Sequence, residues 1–187
     1  MNSYDFDKTI YINDSSADFY KWCLAKYPTA ILKTIPRSLK FVVLYFLKSI
    51  TTKELKQQLF SFLKYINNIE ALTETFWAEK YKGVGQWYLD RKKEDDIIIS
   101  ASPEFLLRPI ANMLGVELIA TPMDEKTGVI TGENCHDYEK VRRFYECFPG
   151  GHTEEFYSDS LSDTPMAEIA DKAFIVDHGK IKPWPKY

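Results

Sequence analysis

Cysteine is scarce and poorly placed for pairing: Cys23, Cys135 and Cys147 are odd in number, scattered, and contain no C-x-x-C. Such a set excludes a disulfide framework and a thiolate zinc site, and reads as free thiols in a reducing compartment. Histidine is equally sparse. His136, His152 and His178 carry no ligand spacing and are expected on loops or the surface. Long apolar runs are missing too. The longest, Phe41 to Leu47, falls far short of the roughly 20 residues that span a bilayer. There is no excess of positive charge either; a net charge of -3 leaves no footprint for general nucleic-acid binding. The chain enters an acidic strand motif directly, so no secretory leader is expected, and the expected location is the cytoplasm. What remains is a chain of 187 residues, 45% hydrophobic and 15% aromatic. That is enough for one domain, or one domain with a sizeable insertion, and too apolar for disorder.

What is present begins at the first residues. Asp5 and Asp7 stand one residue apart in Tyr4-Asp5-Phe6-Asp7-Lys8-Thr9-Ile10. Read as a strand ending at Asp5, the segment delivers two carboxylates to the carboxyl edge of a sheet, where open α/β sheets bind ligands. Two carboxylates this close repel unless a cation or shared proton intervenes. The pair therefore points to a hard-metal site, a nucleophile with an acid, or both. A lone D-x-D is more often a pair of loop acids capping a helix, so the rest of the chain has to decide.

The next eighty or so residues carry helical periodicity. Asp14 or Ser15 caps a helix to about Lys26, and Pro28 ends it. Pro36 opens another, with Leu39, Val42, Val43, Phe46 and Leu47 along one wide apolar side. Thr51 and Glu54 fit a capping box ahead of Leu55, Leu59, Phe62, Leu63 and Ile66. A further helix is expected from about Glu70 to Lys92, with Gly83 and Gly85 as possible breaks. The aromatics of this block, Phe19, Trp22, Phe76 and Trp77 among them, read mostly as its own core. The helix from Arg37 to Lys48 is apolar with basic flanks, which also suits a lipid headgroup or an interface.

From residue 94 the pattern changes. Ile97-Ile98-Ile99-Ser100 is the β-branched run of a strand buried on both faces. Ser102-Pro103-Glu104 reads as a cap and first turn of a helix to about Leu114. Val116 to Ala120 and Val129 to Thr131 read as a hairpin around Asp124–Gly128. A helix over 138–148, a strand at 156–158, a helix over 165–171 and a last strand at 173–176 complete the chain. The alternation predicts an α/β fold: a Rossmann-like parallel sheet formed by residues 1–11 and 94–187, with 12–93 inserted as a helical-bundle cap.

At strand ends fall Asp5 and Asp7, Ser100, and the pair Asp159 and Asp163; Lys140 lies early in a helix. Carboxylates, a hydroxyl and an ammonium make a coherent set for Mg²⁺ and a phosphate. Lys126 is a weaker rival for the lysine, and Lys8 is expected to point to solvent.

These motifs resemble those of the haloacid dehalogenase superfamily, in its phosphoserine-phosphatase-like branch. Asp5-Phe6-Asp7-Lys8-Thr9 is similar to the first motif, Ile97 to Ser100 to the second, Gly132-Glu133-Asn134-Cys135 with Lys140 to the lysine region, and Asp159 to Asp163, followed by Pro165-Met166, to the fourth. The resemblance implies a Mg²⁺-dependent phosphatase acting on a small phosphorylated substrate. Asp5 would be the nucleophile and Asp7 the general acid and base. Ser100, Ala101 and Lys140 would bind the phosphoryl group. Asp5, Asp7 and Asp159 would hold the metal, with Asp163 binding a metal water or orienting Lys140. Two alternatives keep the same scaffold: a phosphotransferase or mutase, and a lipid-headgroup phosphatase of the phosphatidylglycerophosphatase kind. A non-catalytic domain fits less well, since all the reactive side chains are present; a receiver domain lacks a large helical insertion directly after its first acidic strand, and Asp7 fits the phosphatase acid better.

Overall fold

Only two residues, Ser3–Tyr4, form the first strand, β1, yet it lies in the middle of a six-stranded sheet. The computed structural model describes residues 1–185; Lys186 and Tyr187 of the expected core lie outside the described residues. After β1 come six helices: α1 (Ser15–Lys26), α2 (Pro28–Leu32), α3 (Ile35–Phe46), α4 (Thr52–Phe60), α5 (Ile69–Lys80) and α6 (Gln86–Leu89). The remainder alternates β2 (Ile97–Pro103), α7 (Glu104–Leu114), β3 (Glu117–Thr121), α8 (Tyr138–Cys147), β4 (Thr153–Ser158), α9 (Thr164–Ile169), β5 (Ala170–Asp177) and β6 (Lys180–Pro183). The strand order is β3-β2-β1-β4-β5-β6, and every pairing is parallel except β5 with β6. This is the expected α/β architecture with a Rossmann-like sheet.

The isoleucine run explains the layering. Side chains alternate along a strand. Ile98 joins Tyr4, Leu118 and Tyr157 on the face covered by α7 and the helical segment, while Ile97 and Ile99 join Ile119 and Phe156 on the face covered by α8 and α9. Both faces are apolar, as a parallel sheet requires. On the first face the helical segment and the sheet share one core. Phe19, Phe60, Phe76 and Trp77 pack in the same cluster as Leu106, Leu107 and Ile110 of α7. The buried Trp77 ring also donates its N–H to the Leu106 carbonyl at 2.6 Å.

Local signals hold where the backbone decides. Asp14 caps α1 through the Ala17 amide, and Thr51 with Glu54 forms a complete capping box on α4. Pro28 ends α1 and opens the short α2 at the same residue, because its fixed φ suits a first helical turn.

Several expectations are corrected. The helix expected from Glu70 to Lys92 ends at Lys80 and resumes over Gln86–Leu89; the break falls at the two glycines, with a 3-10 turn over Tyr81–Gly83 and extended backbone at Val84 and Gly85. Ser102 does not cap α7. It is the sixth residue of β2, and Pro103 precedes the helix without a side-chain cap. The hairpin at 116–131 is absent. β3 pairs in parallel with β2, and only an isolated Met123–Ile130 bridge closes the 122–131 loop. Gly128 is required in that loop: its φ is +74, and a Cβ there would meet the Phe60 carbonyl oxygen at 2.5 Å. A true hairpin forms instead at β5–β6 around Asp177, His178 and Gly179. The wide apolar side of α3 does not face the core: Leu39, Val43, Phe46 and Leu47 are exposed, and the one buried residue of that helix is Ser38.

Candidate active site

Because β1, β2 and β4 run parallel, their carboxyl ends share one edge, and the predicted groups meet there. A cavity of about 530 Å³ is lined by Asp5, Asp7, Ser100, Ala101, Lys140, Asp159 and Asp163, which are all the residues singled out from sequence. The rival Lys126 is exposed in the Asp124 turn and does not line it.

Asp5 continues the β1 ladder, its amide donating to the Tyr157 carbonyl at 2.8 Å. Its carboxylate accepts Lys140 Nζ at Oδ1 at 2.7 Å, and the same ammonium reaches Asp163 Oδ2 at 2.7 Å. Lys140 is 1% exposed, although it sits on a helix whose sequence reads as solvated. Burial alone would lower its ammonium. The Asp5 and Asp163 carboxylates outweigh that and hold the lysine above its usual range. Asp163 precedes α9 without capping it; its side chain takes Lys140 and the Ser158 hydroxyl, the latter at 2.7 Å.

Removal from water pushes the Asp5 carboxyl up, Lys140 pulls it down, and the neighbouring Asp163 and Asp7 add to the rise. Asp7 is pushed up to about 6, first by burial and then by the Asp14 charge. Its two oxygens are held by α1 and β2: Oδ1 accepts the Ser15 amide at 2.7 Å and Oδ2 accepts the Ser102 hydroxyl at 2.5 Å. Burial thus brings the Asp7 carboxyl closer to the range in which a side chain exchanges protons near neutral pH.

Thr9 links two acids. Its hydroxyl donates toward Asp5 Oδ2 at 3.4 Å and accepts the Asp159 amide at 2.9 Å. The Asp159 carboxyl is raised chiefly by burial, with Lys8 opposing. Lys8, in the left-handed region at φ 57, is exposed at the cavity rim.

The acids at the sheet edge outnumber the buried cation between them. Among the described residues no three His, Cys, Asp or Glu side chains form a metal cage by themselves. Mg²⁺ takes one or two carboxylates and completes its shell with water and substrate phosphate. Two carboxylates, on Asp5 and Asp159, with the backbone carbonyl of Asp7, are hard oxygen donors that suit such an ion.

Sequence reasoning missed the residues that the helical segment brings in. Tyr45 of α3 and Asp14 line the cavity, as does His136 from the loop before α8. Lys56 of α4 donates to the Ala101 carbonyl at 2.9 Å and to Asn134 Oδ1 at 2.8 Å. Lys53 reaches the Gly132 carbonyl at 2.7 Å, and Gln57 accepts the Ile130 amide at 2.9 Å. These three ties pin α4 to the loop before α8. Only the regular spacing of Lys53, Lys56 and Gln57 on one helix face hints at them in sequence.

Fold and site define a class: an α/β protein with an acidic, ligand-sized cavity at its sheet's carboxyl edge. The sequence matches the haloacid dehalogenase-like hydrolase family over residues 3–168, and the chain belongs to that family. Among its relatives is Protein CicA of Caulobacter vibrioides, 28% identical over 202 aligned positions that cover 95% of this chain and 86% of the relative. Two solved structures share the fold. A Bordetella pertussis protein of unknown function superposes with a TM-score of 0.77 at 21% identity, covering 94% of this chain and 89% of the other. A phosphoserine phosphohydrolase-like protein from Francisella tularensis gives 0.58 at 15% identity, covering 96% and 88%.

Proposed function

We propose that this chain is a Mg²⁺-dependent phosphatase that hydrolyses a small phosphomonoester through an aspartyl-phosphate on Asp5. One observation carries the reading: Lys140 Nζ bridges Asp5 and Asp163 at 2.7 Å each inside the cavity where all the predicted residues meet. A buried ammonium beside the nucleophile offsets charge as the phosphoryl group arrives. Family membership supports the hydrolase chemistry. The reducing-compartment reading of Cys23, Cys135 and Cys147, all free, supports a cytoplasmic site of action.

In this reading Asp5 attacks phosphorus while the bond to the leaving oxygen breaks, and Asp7 gives that oxygen its proton. Asp7 then takes a proton from water as the water displaces Asp5, which releases phosphate and restores both carboxyls. Ser100, Ala101 and Lys140 hold the phosphoryl oxygens. Asp5, Asp7 and Asp159 would hold Mg²⁺, which supplies shielding of the carboxylate–phosphate repulsion. Asp163 keeps Lys140 in place. Residues 12–93 act as the cap that selects substrate, since Tyr45 on α3 reaches the cavity wall.

Two experiments test the assignment. With p-nitrophenyl phosphate, Asp7→Asn still forms phosphoenzyme, because that leaving group needs no proton, but turnover falls about 10²–10⁴-fold. Unchanged turnover of an alkyl phosphate by the variant removes Asp7 from acid–base catalysis. Chelation with excess EDTA abolishes phosphate release and added Mg²⁺ restores it; full activity in the chelator overturns the metal assignment.

A further inference from the structure

The helix α3 is amphipathic in the wrong direction for a helix of a folded core. The side turned to the protein carries Ser38, 4% exposed, with Phe41 and Val42 only part-buried. On the opposite side, Leu39, Val43, Phe46 and Leu47 are 63%, 51%, 79% and 67% exposed. Positions 39, 43 and 46 follow the i, i+4, i+7 spacing that makes a single stripe. Leu32 and Ile35, exposed as well, extend it toward the preceding turn. A continuous apolar stripe of this kind on a water-facing helix marks a docking surface.

Charge identifies the occupant. From Phe19 to Lys53, thirty-five residues, there is no Asp or Glu, while there are seven Lys or Arg in a chain whose net charge is -3. Arg37 and Lys40 of α3, with Lys33 and Lys48 beside its ends, are exposed and belong to none of the ion pairs found among the described residues. Cations flanking a Leu, Val and Phe stripe are the composition of a helix that lies in the plane of an anionic bilayer. A second copy of this chain fits poorly, because a two-fold contact would place these cations against their own equivalents. No helix among the described residues is long and apolar enough to cross a membrane, so contact would be at the surface only.

We infer that the exposed face of α3, extended by Leu32, docks on an anionic phospholipid surface, its apolar stripe entering the headgroup boundary and its basic residues meeting lipid phosphates. Tyr45, next to Phe46, lines the catalytic cavity, so the docked helix carries one wall of that cavity to the membrane. The inference stands on surface geometry and is independent of the phosphatase reading.

Flotation of the full chain with vesicles tests it. Vesicles of phosphatidylcholine mixed equally with phosphatidylglycerol should carry the protein upward, and phosphatidylcholine alone should not. Leu39→Ser with Phe46→Ser, and separately Arg37→Glu with Lys40→Glu, should each weaken binding by about tenfold or more, since both apolar burial and charge attraction contribute. These side chains are exposed, so circular dichroism and thermal unfolding should match the wild type. Protein that remains at the bottom with both vesicle types overturns the inference. So does equal flotation with both, or variants that float like the wild type. A dimer in sedimentation velocity that Leu39→Ser with Phe46→Ser dissolves would assign the face to a second copy and also overturn it.

Discussion

Asp5→Asn abolishes phosphate release from p-nitrophenyl phosphate in the presence of Mg²⁺, with a loss of at least about 10³-fold, roughly 4 kcal/mol of transition-state stabilisation. The amide is nearly isosteric but is not a nucleophile, so no aspartyl-phosphate can form. The fold should survive. Lys140 keeps Asp163 at 2.7 Å, and the substitution removes a buried carboxyl that Asp163 and Asp7 both crowd. Neutralising Asp5 therefore relieves repulsion as it removes one ion pair. Urea unfolding should place the midpoint of the variant near that of the wild type, separating lost chemistry from lost structure. A folded variant that retains activity within tenfold of the wild type would mean that another group attacks phosphorus, and the assignment of Asp5 would fail.

The residues of the cavity were legible in sequence for a topological reason. Parallel strands put all carboxyl ends on one edge, so acids placed after β1 and β4 and Ser100, where the regular pairing of β2 with β3 ends, converge without knowledge of the packing. Caps were legible because Thr51 and Glu54 act within one turn. The failures fall where a distant partner decides. Val116 to Thr131 has the local pattern of a hairpin, but Leu118 to Thr121 is buried beside β2 and Val129 stays in water, so the parallel partner wins. No strand was expected beyond 173–176; β6 lacks an apolar pattern because Lys180, Lys182 and Pro183 are the residues that keep an edge strand from pairing further. Periodicity located the apolar stripe of α3 but could not tell which side of the helix meets the protein. For the same reason Tyr45 and Lys56 went unseen: each reaches the carboxyl edge of the sheet only because the helical segment packs over it.

Lys140→Met lowers stability by about 3–5 kcal/mol at neutral pH, the usual cost of leaving buried charge without its partner. Methionine replaces the apolar stem of the lysine, so packing changes little and the loss reports charge. In the wild type the ammonium answers two carboxylates at once, each at 2.7 Å, and neither Asp5 nor Asp163 has another cation within salt-bridge distance among the described residues. Without Lys140 both acids must be buried charged or take up protons. The Asp5 value then rises further above the ordinary aspartate value, so the folded variant binds a proton that the unfolded chain does not. Stability of the variant should consequently recover as pH falls toward the unfolded aspartate value, more steeply than in the wild type, where Lys140 holds the rise of Asp5 back. The stability gap is widest near neutrality and narrows in acid. Adding Asp163→Asn to Lys140→Met should restore part of the loss, because one of the stranded charges disappears. The measurement is the shift of the urea midpoint at constant slope, taken at neutral and mildly acidic pH. A loss below about 1 kcal/mol, or the same loss with and without Asp163→Asn, would mean that this lysine does not balance the acids at the sheet edge, and the electrostatic account of the site would fall with it.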